Sequence, residues 1–321
     1  MKKTMLDSNS IRQDADNEPS GSPSGSQSGS QSGSKPSGSK PSAIEPGDRK
    51  PHDVLSELIQ DGELELPLLA EKTSRLLSMC KDPDCSTREL AELIRMDQSI
   101  ASHVLRMANS PMYSCGIRIV SLQQAVARLG LATLREIILI VSCRGRVFDV
   151  KGFDVELRES FHHSLATAIF AQEIARMRRL CVEEAFLCGL LHDIGRPVLL
   201  QALVDYQRKH GSKWSRLDML QAVERHRRAV GGKLIRKWGL PDRVADAILD
   251  QDPVDALRTT QEAQVLALAI EVARTTLYPE NFDPDSLLEH CLIDHLNIYV
   301  EQIDELLAKA DDVKDLIGRT A

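Results

Sequence analysis

Leu131-Ala132-Thr133-Leu134-Arg135-Glu136-Ile137-Ile138-Leu139-Ile140-Val141 is the stretch that decides the fold class. Taken alone, the β-branched run from Ile137 to Val141 would pass for a buried strand, because a short apolar run does not separate strand from helix by periodicity. It follows Leu131 to Glu136 without a turn signal, and alternating strands bounded by hairpin residues are absent from the chain. The stretch is therefore read as a helix buried on several faces. Just before it, Ser121-Leu122-Gln123-Gln124 forms a capping box leading into Val126 and Leu129, and Gly130 is a helix stop. Ser86-Thr87-Arg88-Glu89 is a second capping box ahead of Leu90, Leu93 and Ile94. The 3.6-residue period predicts further helices over 161–177, 183–202, 217–237, 243–249 and 262–277, and Asp283-Pro284 reads as an N-cap followed by Pro at the first helical position. The fold class is all-α.

The 321 residues carry 40 Lys and Arg against 47 Asp and Glu, a net charge of -7. A duplex-DNA binder usually presents a net basic field, so nucleic acid is not an expected partner. No apolar run approaches the roughly 18–20 residues of a membrane span, and the N-terminus lacks the apolar core of a secretory signal. Seven scattered cysteines do not make a disulfide framework and read as reduced thiols, which points to the cytoplasm. From Pro19 to Ser42 every residue is Ser, Gly, Pro, Gln or Lys. Such a segment cannot bury enough apolar surface to offset its ordering entropy, so residues 1–50 are expected to form a disordered spacer without chemistry.

Chemistry concentrates at Gly189-Leu190-Leu191-His192-Asp193-Ile194-Gly195, where an adjacent His-Asp pair supplies an imidazole and a carboxylate suited to a borderline divalent metal. Two ligands do not hold a catalytic ion, so metal chemistry depends on further ligands elsewhere. His290 and His295 lie five apart and do not share a helix face, so they read as interfacial histidines. Cys181 and Cys188, seven apart, fit one apolar helix stripe. Asn109-Ser110-Pro111 reads as a helix stop with a structural role. Arg225, Arg227, Arg228, Lys233, Arg236 and Lys237 crowd one predicted helix as a solvated face or a surface for an acidic partner or nucleotide phosphate.

His192-Asp193 within LLHDIG, preceded by His163 in Phe161-His162-His163-Ser164, resembles the HD superfamily of metal-dependent phosphohydrolases. The wider pattern is similar to its offshoot, the HD-related output domain (HDOD). The N-terminal half is matched by Leu66-Pro67-Leu68-Leu69, Leu93-Ile94-Arg95-Met96-Asp97, Leu105-Arg106-Met107-Ala108-Asn109-Ser110, Ile119 to Val126, and Leu129-Gly130. The second half is matched by Gly231, Trp238-Gly239-Leu240-Pro241 and Ala247-Ile248. The resemblance covers roughly 62–255 and implies an HD-like multi-helical bundle, with an N-terminal helical half over 51–150, an HD-like half over 151–255 and a helical extension over 256–321.

The resemblance places His163, His192 and Asp193 at the first three metal-ligand positions. The family's next histidine falls on Arg227; His226 is one position away, a rotation of about 100° on a helix. The usual His-His is Asp250-Gln251, and the closing Asp is Ile270, beside Glu271. The site is therefore read as vestigial, with no cofactor expected and Arg227 repelling an ion. What the resemblance implies is a non-catalytic signalling or output module, whose partners are signalling proteins of two-component or cyclic-di-GMP pathways. Any signalling enzyme is expected to be a separate partner. The alternative is a phosphohydrolase or cyclic-dinucleotide phosphodiesterase holding Mn or Fe at His163, His192 and Asp193, with Asp250 or His226 as an unorthodox ligand and Arg196 or Arg227 stabilising phosphoryl charge. A third reading is a nucleotide-binding module without turnover, using the basic helix from Arg225 to Lys237, with loss of binding on reversing Arg227 and Arg228 as its mark.

Overall fold

A computed structural model describes residues 48–320 except 111–112, 114–117, 147–149, 252–258 and 283–286. The spacer expected over 1–50 lies outside the described residues apart from Asp48 to Lys50, as do the Asp283-Pro284 cap and Pro111. Every regular element among the described residues is helical: α1 Pro51–Gln60, α2 Glu71–Met79, α3 Thr87–Arg95, α4 Gln98–Ala108, α5 Leu122–Arg146, α6 Asp154–Arg178, α7 Val182–Leu191, α8 Gly195–His210, α9 Arg216–Lys237, α10 Asp242–Leu249, α11 Gln261–Leu277, α12 Cys291–His295, α13 Val300–Ala308 and α14 Ala310–Thr320.

The run Ile137 to Val141 is helical and buried at every position. It belongs to α5, around which α2, α3 and α4 pack. Gly130 adopts φ 76°, outside helical geometry, so α5 is two helices that meet at a kink there, the stop and restart expected from the sequence, in a conformation that a side chain would resist. The end of α4 is tied back by Asn109. Its Nδ2 donates to Leu105 O and Ile119 O, and its Oδ1 accepts from Ile119 N, all at 2.8 Å. The second group of helices is built on α6, which buries Phe161, Leu165, Phe170 and Ile174 against α7 and α11. There α9 packs between α8 and α10. The helix α1 lies on α9 and α8, and α11 packs on α6, α7 and α10, so the described part of the chain forms one continuous core.

The single helix expected over 183–202 is two helices. The apolar period runs straight across the junction, but α7 ends at Leu191 and α8 begins at Gly195. Packing imposes the break. A Cβ on Gly195 would lie 2.0 Å from the Arg227 carbonyl oxygen, so only glycine lets α8 start against the backbone of α9. Although Val182 to His210 is long and apolar enough to resemble a membrane span, most of its apolar window is buried within the protein. Cys181 and Cys188 do not share a buried stripe: α7 starts at Val182, leaving Cys181 exposed as its N-cap while Cys188 is buried.

Gly195→Ala is expected to destabilise the protein by about 3 kcal/mol in urea unfolding through forced backbone displacement. Gly231→Ala, whose new Cβ would sit 3.4 Å from Ile248 in ordinary contact, is expected to be neutral or stabilising by up to about 1 kcal/mol through helix propensity.

Candidate functional site

Where the chain turns between α7 and α8, the local folding of the sequence presents His192 and Asp193 side by side. The Nδ1–H of His192 donates to Gly189 O at 2.7 Å, which fixes the ring against the last turn of α7. Burial pushes this imidazole down to about 4 despite the neighbouring Asp193, so it is neutral and its Nε2 carries a lone pair. From α6, the His163 ring meets that of His192 edge-on at 5.5 Å. Burial, with smaller contributions from His192 and Arg274, pushes His163 down to about 3, and its Nε2 is sealed from solvent without a hydrogen-bond partner among the described residues.

Asp193 is 6% exposed, yet it is ionised. Burial works against its charge, but Arg196 and Arg227, together with the Ser160 hydroxyl, outweigh that cost and hold the carboxyl at about 2. Its Oδ2 accepts from Arg196 Nε and Ser160 Oγ, both at 2.6 Å, and its Oδ1 accepts from Arg227 Nη1 at 3.1 Å. Glu224 closes the arrangement, accepting from Arg227 Nε at 2.6 Å and Arg196 Nη2 at 2.9 Å. The result is a ring of alternating charge: Asp193, Arg196, Glu224, Arg227.

The residues expected near this centre separate clearly. Three of them, His163, His192 and Asp193, come together, and Arg196 and Arg227 join them. His226 points elsewhere, as a one-residue step round α9 requires: its Nε2 lies 3.1 Å from His52 Nδ1 on α1, and the two rings stack at 5.0 Å. Arg228, a further step round the helix, is half-buried. Asp250 is exposed at the C-cap of α10. Gln251 donates from Nε2 to His192 O at 3.3 Å, and its buried Oε1 has no partner among the described residues. Ile270 is buried, and Glu271 pairs with Arg274 at 2.7 Å. Two further basic residues of α9 are committed, Arg236 to Asp246 at 2.5 Å and Lys237 to Leu66 O at 2.9 Å, while Lys233 is exposed. His290 caps α12 by accepting from Leu292 N, and His295 lies 3.3 Å from Gln264, both structural roles.

Ser160 and Glu224 were not singled out by sequence reasoning. Glu224 had a signal, its spacing of three from Arg227 on one helix. Ser160 had none, because its role exists only once α6 packs beside the turn.

Among the described residues no group of three or more His, Cys, Asp or Glu side chains is gathered as a metal ion would need. A divalent ion at Asp193 would have to displace guanidinium groups from both carboxylate oxygens. The donors as arranged do not fit one.

These helices and this His-Asp turn define an HD-like fold. The HDOD domain family model matches residues 66–253, and the chain belongs to that family. An uncharacterised protein of Treponema pallidum (strain Nichols) is 25% identical over 203 residues, 60% of this chain; the chain spans only 39% of that relative's length. Among solved structures, a Shewanella amazonensis protein provisionally named a metal-dependent phosphohydrolase superposes with a TM-score of 0.65 at 19% identity, covering 83% of this chain and 97% of that one. An HDOD domain protein of unknown function from Geobacter sulfurreducens gives 0.62 at 24% identity, covering 84% and 97%. A Marinobacter aquaeolei protein provisionally named for signal transduction gives 0.56 at 22% identity, covering 84% and 65%. At these identities the likeness is one of fold.

Two outcomes follow from the charge ring and the neutral histidines. Arg227→Met should cost about 3 kcal/mol by leaving the buried Asp193 carboxylate with less compensation, and adding Asp193→Asn should recover at least about 1 kcal/mol in a double-mutant cycle. In acid, unfolded histidines take up protons near 6.5 whereas folded His192 and His163 do so only near 4 and 3. Stability contributed by their neutral forms is full above about 7 and falls as pH drops from 6.5 towards 4. Urea unfolding over that range should show the fall, and His192→Gln should flatten it.

Proposed function

We propose that this chain is a non-catalytic HDOD signalling module, acting in the cytoplasm by binding signalling proteins or a small ligand rather than by turning over a phosphoester. The observation that carries the reading is the grip of Arg196 and Arg227 on both carboxylate oxygens of Asp193. A hydrolase of this class needs a metal ion to polarise phosphorus and lower the pKa of water. Here fixed guanidinium charges hold the one carboxylate that would bind the ion, and Arg227 stands where the next histidine ligand would be. The signal-transduction name of the Marinobacter protein lends the signalling context some support. Partners in two-component or cyclic-di-GMP pathways, and the absence of a resident Mn or Fe, are part of this proposal.

The competing reading is a phosphohydrolase that uses the lone pairs of His163 and His192. Metal content and phosphodiesterase turnover should be measured together on protein supplied with manganese and iron, with bis-p-nitrophenyl phosphate and cyclic di-GMP as substrates. We expect well under one metal per chain and no turnover above the Asp193→Ala variant. Stoichiometric metal with turnover abolished by Asp193→Ala would overturn the proposal.

A further inference from the structure

A second polar cluster lies where α1 meets α9, on the far side of His226 from the charge ring. It borders a groove of about 820 Å³. Lys50 and His52 line it at the start of α1, Lys213 and Trp214 in the connection from α8 to α9, and Gln221 and Arg225 along α9. Four cations, Arg49, Lys50, Lys213 and Arg225, face it against two carboxylates, Asp48 and Asp218, in a chain whose net charge is -7.

The partners of these groups make the imbalance sharper. Arg49 is paired with Glu57, and Asp218 is occupied in the Ser215 capping box of α9. That leaves Lys50, Lys213 and Arg225 against the single carboxylate of Asp48. Among the described residues no carboxylate lies within ion-pair distance of these three. Arg225 instead directs Nη1 to His52 Nε2 at 2.9 Å. The other ring nitrogen of His52 contacts His226 Nε2 at 3.1 Å, and Ser56 Oγ lies 3.3 Å from the same nitrogen. His52 is therefore held at both ring nitrogens, and the guanidinium resting on it is oriented without being neutralised. The opposite wall is equally fixed: Trp214 Nε1 donates to Arg49 O at 2.7 Å, and its ring stacks on Tyr206 at 5.5 Å.

An oriented guanidinium and two uncompensated ammonium groups from three chain segments suit a multiply charged anion. The groove is far larger than a bare ion, leaving room for the group an ester would carry. We propose that it binds a phosphate monoester, held by Arg225, Lys213 and Lys50.

Two sources share this chemistry. One is a free metabolite such as a nucleoside monophosphate. The other is a phosphoserine of the preceding segment, since Asp48 to Lys50 themselves border the groove and Pro19 to Ser42 contains eleven serines. Ser42 is six residues before Asp48, a reach of up to about 20 Å. The proposal is independent of the Asp193 centre, and its failure would leave that reading untouched.

Isothermal titration calorimetry of the full chain would use three probes at matched ionic strength: AMP, adenosine, and a peptide spanning 38–48 phosphorylated at Ser42. We expect saturable binding of AMP or of the phosphopeptide, no binding of adenosine, and a loss of about tenfold or more in both Arg225→Gln and Lys213→Gln. Lys213 has no side-chain partner among the described residues, so its variant separates lost binding from disturbed packing of α1. Tighter AMP assigns the site to a free metabolite; a tighter phosphopeptide assigns it to the serine-rich segment. Failure of both phosphate probes to bind saturably would overturn the proposal. So would equal binding of adenosine, or an equal loss on substituting the remote Lys314.

Discussion

The buried charge on Asp193 is the constraint around which the HD-like half is arranged. An isolated carboxylate at 6% exposure would be too costly to keep ionised, and its neutralisation recruits side chains from three other places. Ser160 comes from α6, Arg196 from the first turn of α8, and Arg227 from the middle of α9. Each contact requires its helix to stand at a particular distance. That requirement explains why α7 and α8 are separate despite an unbroken apolar period, and why α8 starts with a glycine pressed against the Arg227 carbonyl. Glu224 balances the second guanidinium, so the ring contains as many carboxylates as arginines.

Much of this was legible in the chain. Capping residues, the period and the missing turn signal before Ile137 gave the helical class, and the break at Gly130 follows from its chemistry. That Arg227 stands where a histidine is expected came from the family resemblance, while the rotation that takes His226 away was readable from helical geometry. What escaped were features set by approach between elements. The junction at 192–194 has no breaker that outweighs its apolar flanks, because glycine is there for the backbone of α9, 32 residues downstream at Arg227. Asn109 looked like a helix stop, but its two-way bond to Ile119 depends on how the chain returns after α4. Ser160 and the stacking of His226 on His52 depend on contacts too distant in sequence for any local pattern to encode.

The chemistry of the centre also separates two kinds of cation. A metal ion exchanges, so a protein built on one can respond to its supply. A guanidinium on α9 is covalently part of the fold and does not exchange with solvent as an ion does. Replacing the ion by Arg227 would remove both the Lewis acid and the dependence on metal, while keeping positive charge beside Asp193 so that the helices still meet. On the proposed reading, the charge ring serves as a permanent clasp for an inherited fold.

If the centre is a clasp, whatever the module senses must arrive elsewhere, at groups whose partners are not already fixed. On α9, Arg227, Arg236 and Lys237 are held by acceptors, whereas Arg225 rests on an imidazole. The same helix thus carries a guanidinium buried against a carboxylate and, two residues earlier, one exposed in a groove without one. An anion arriving at Arg225 would pull on the contact through which α1 is seated, since His52 bridges that guanidinium to His226. The helix that supplies Arg227 to the charge ring is therefore also the helix through which occupancy of the groove would reach the rest of the bundle.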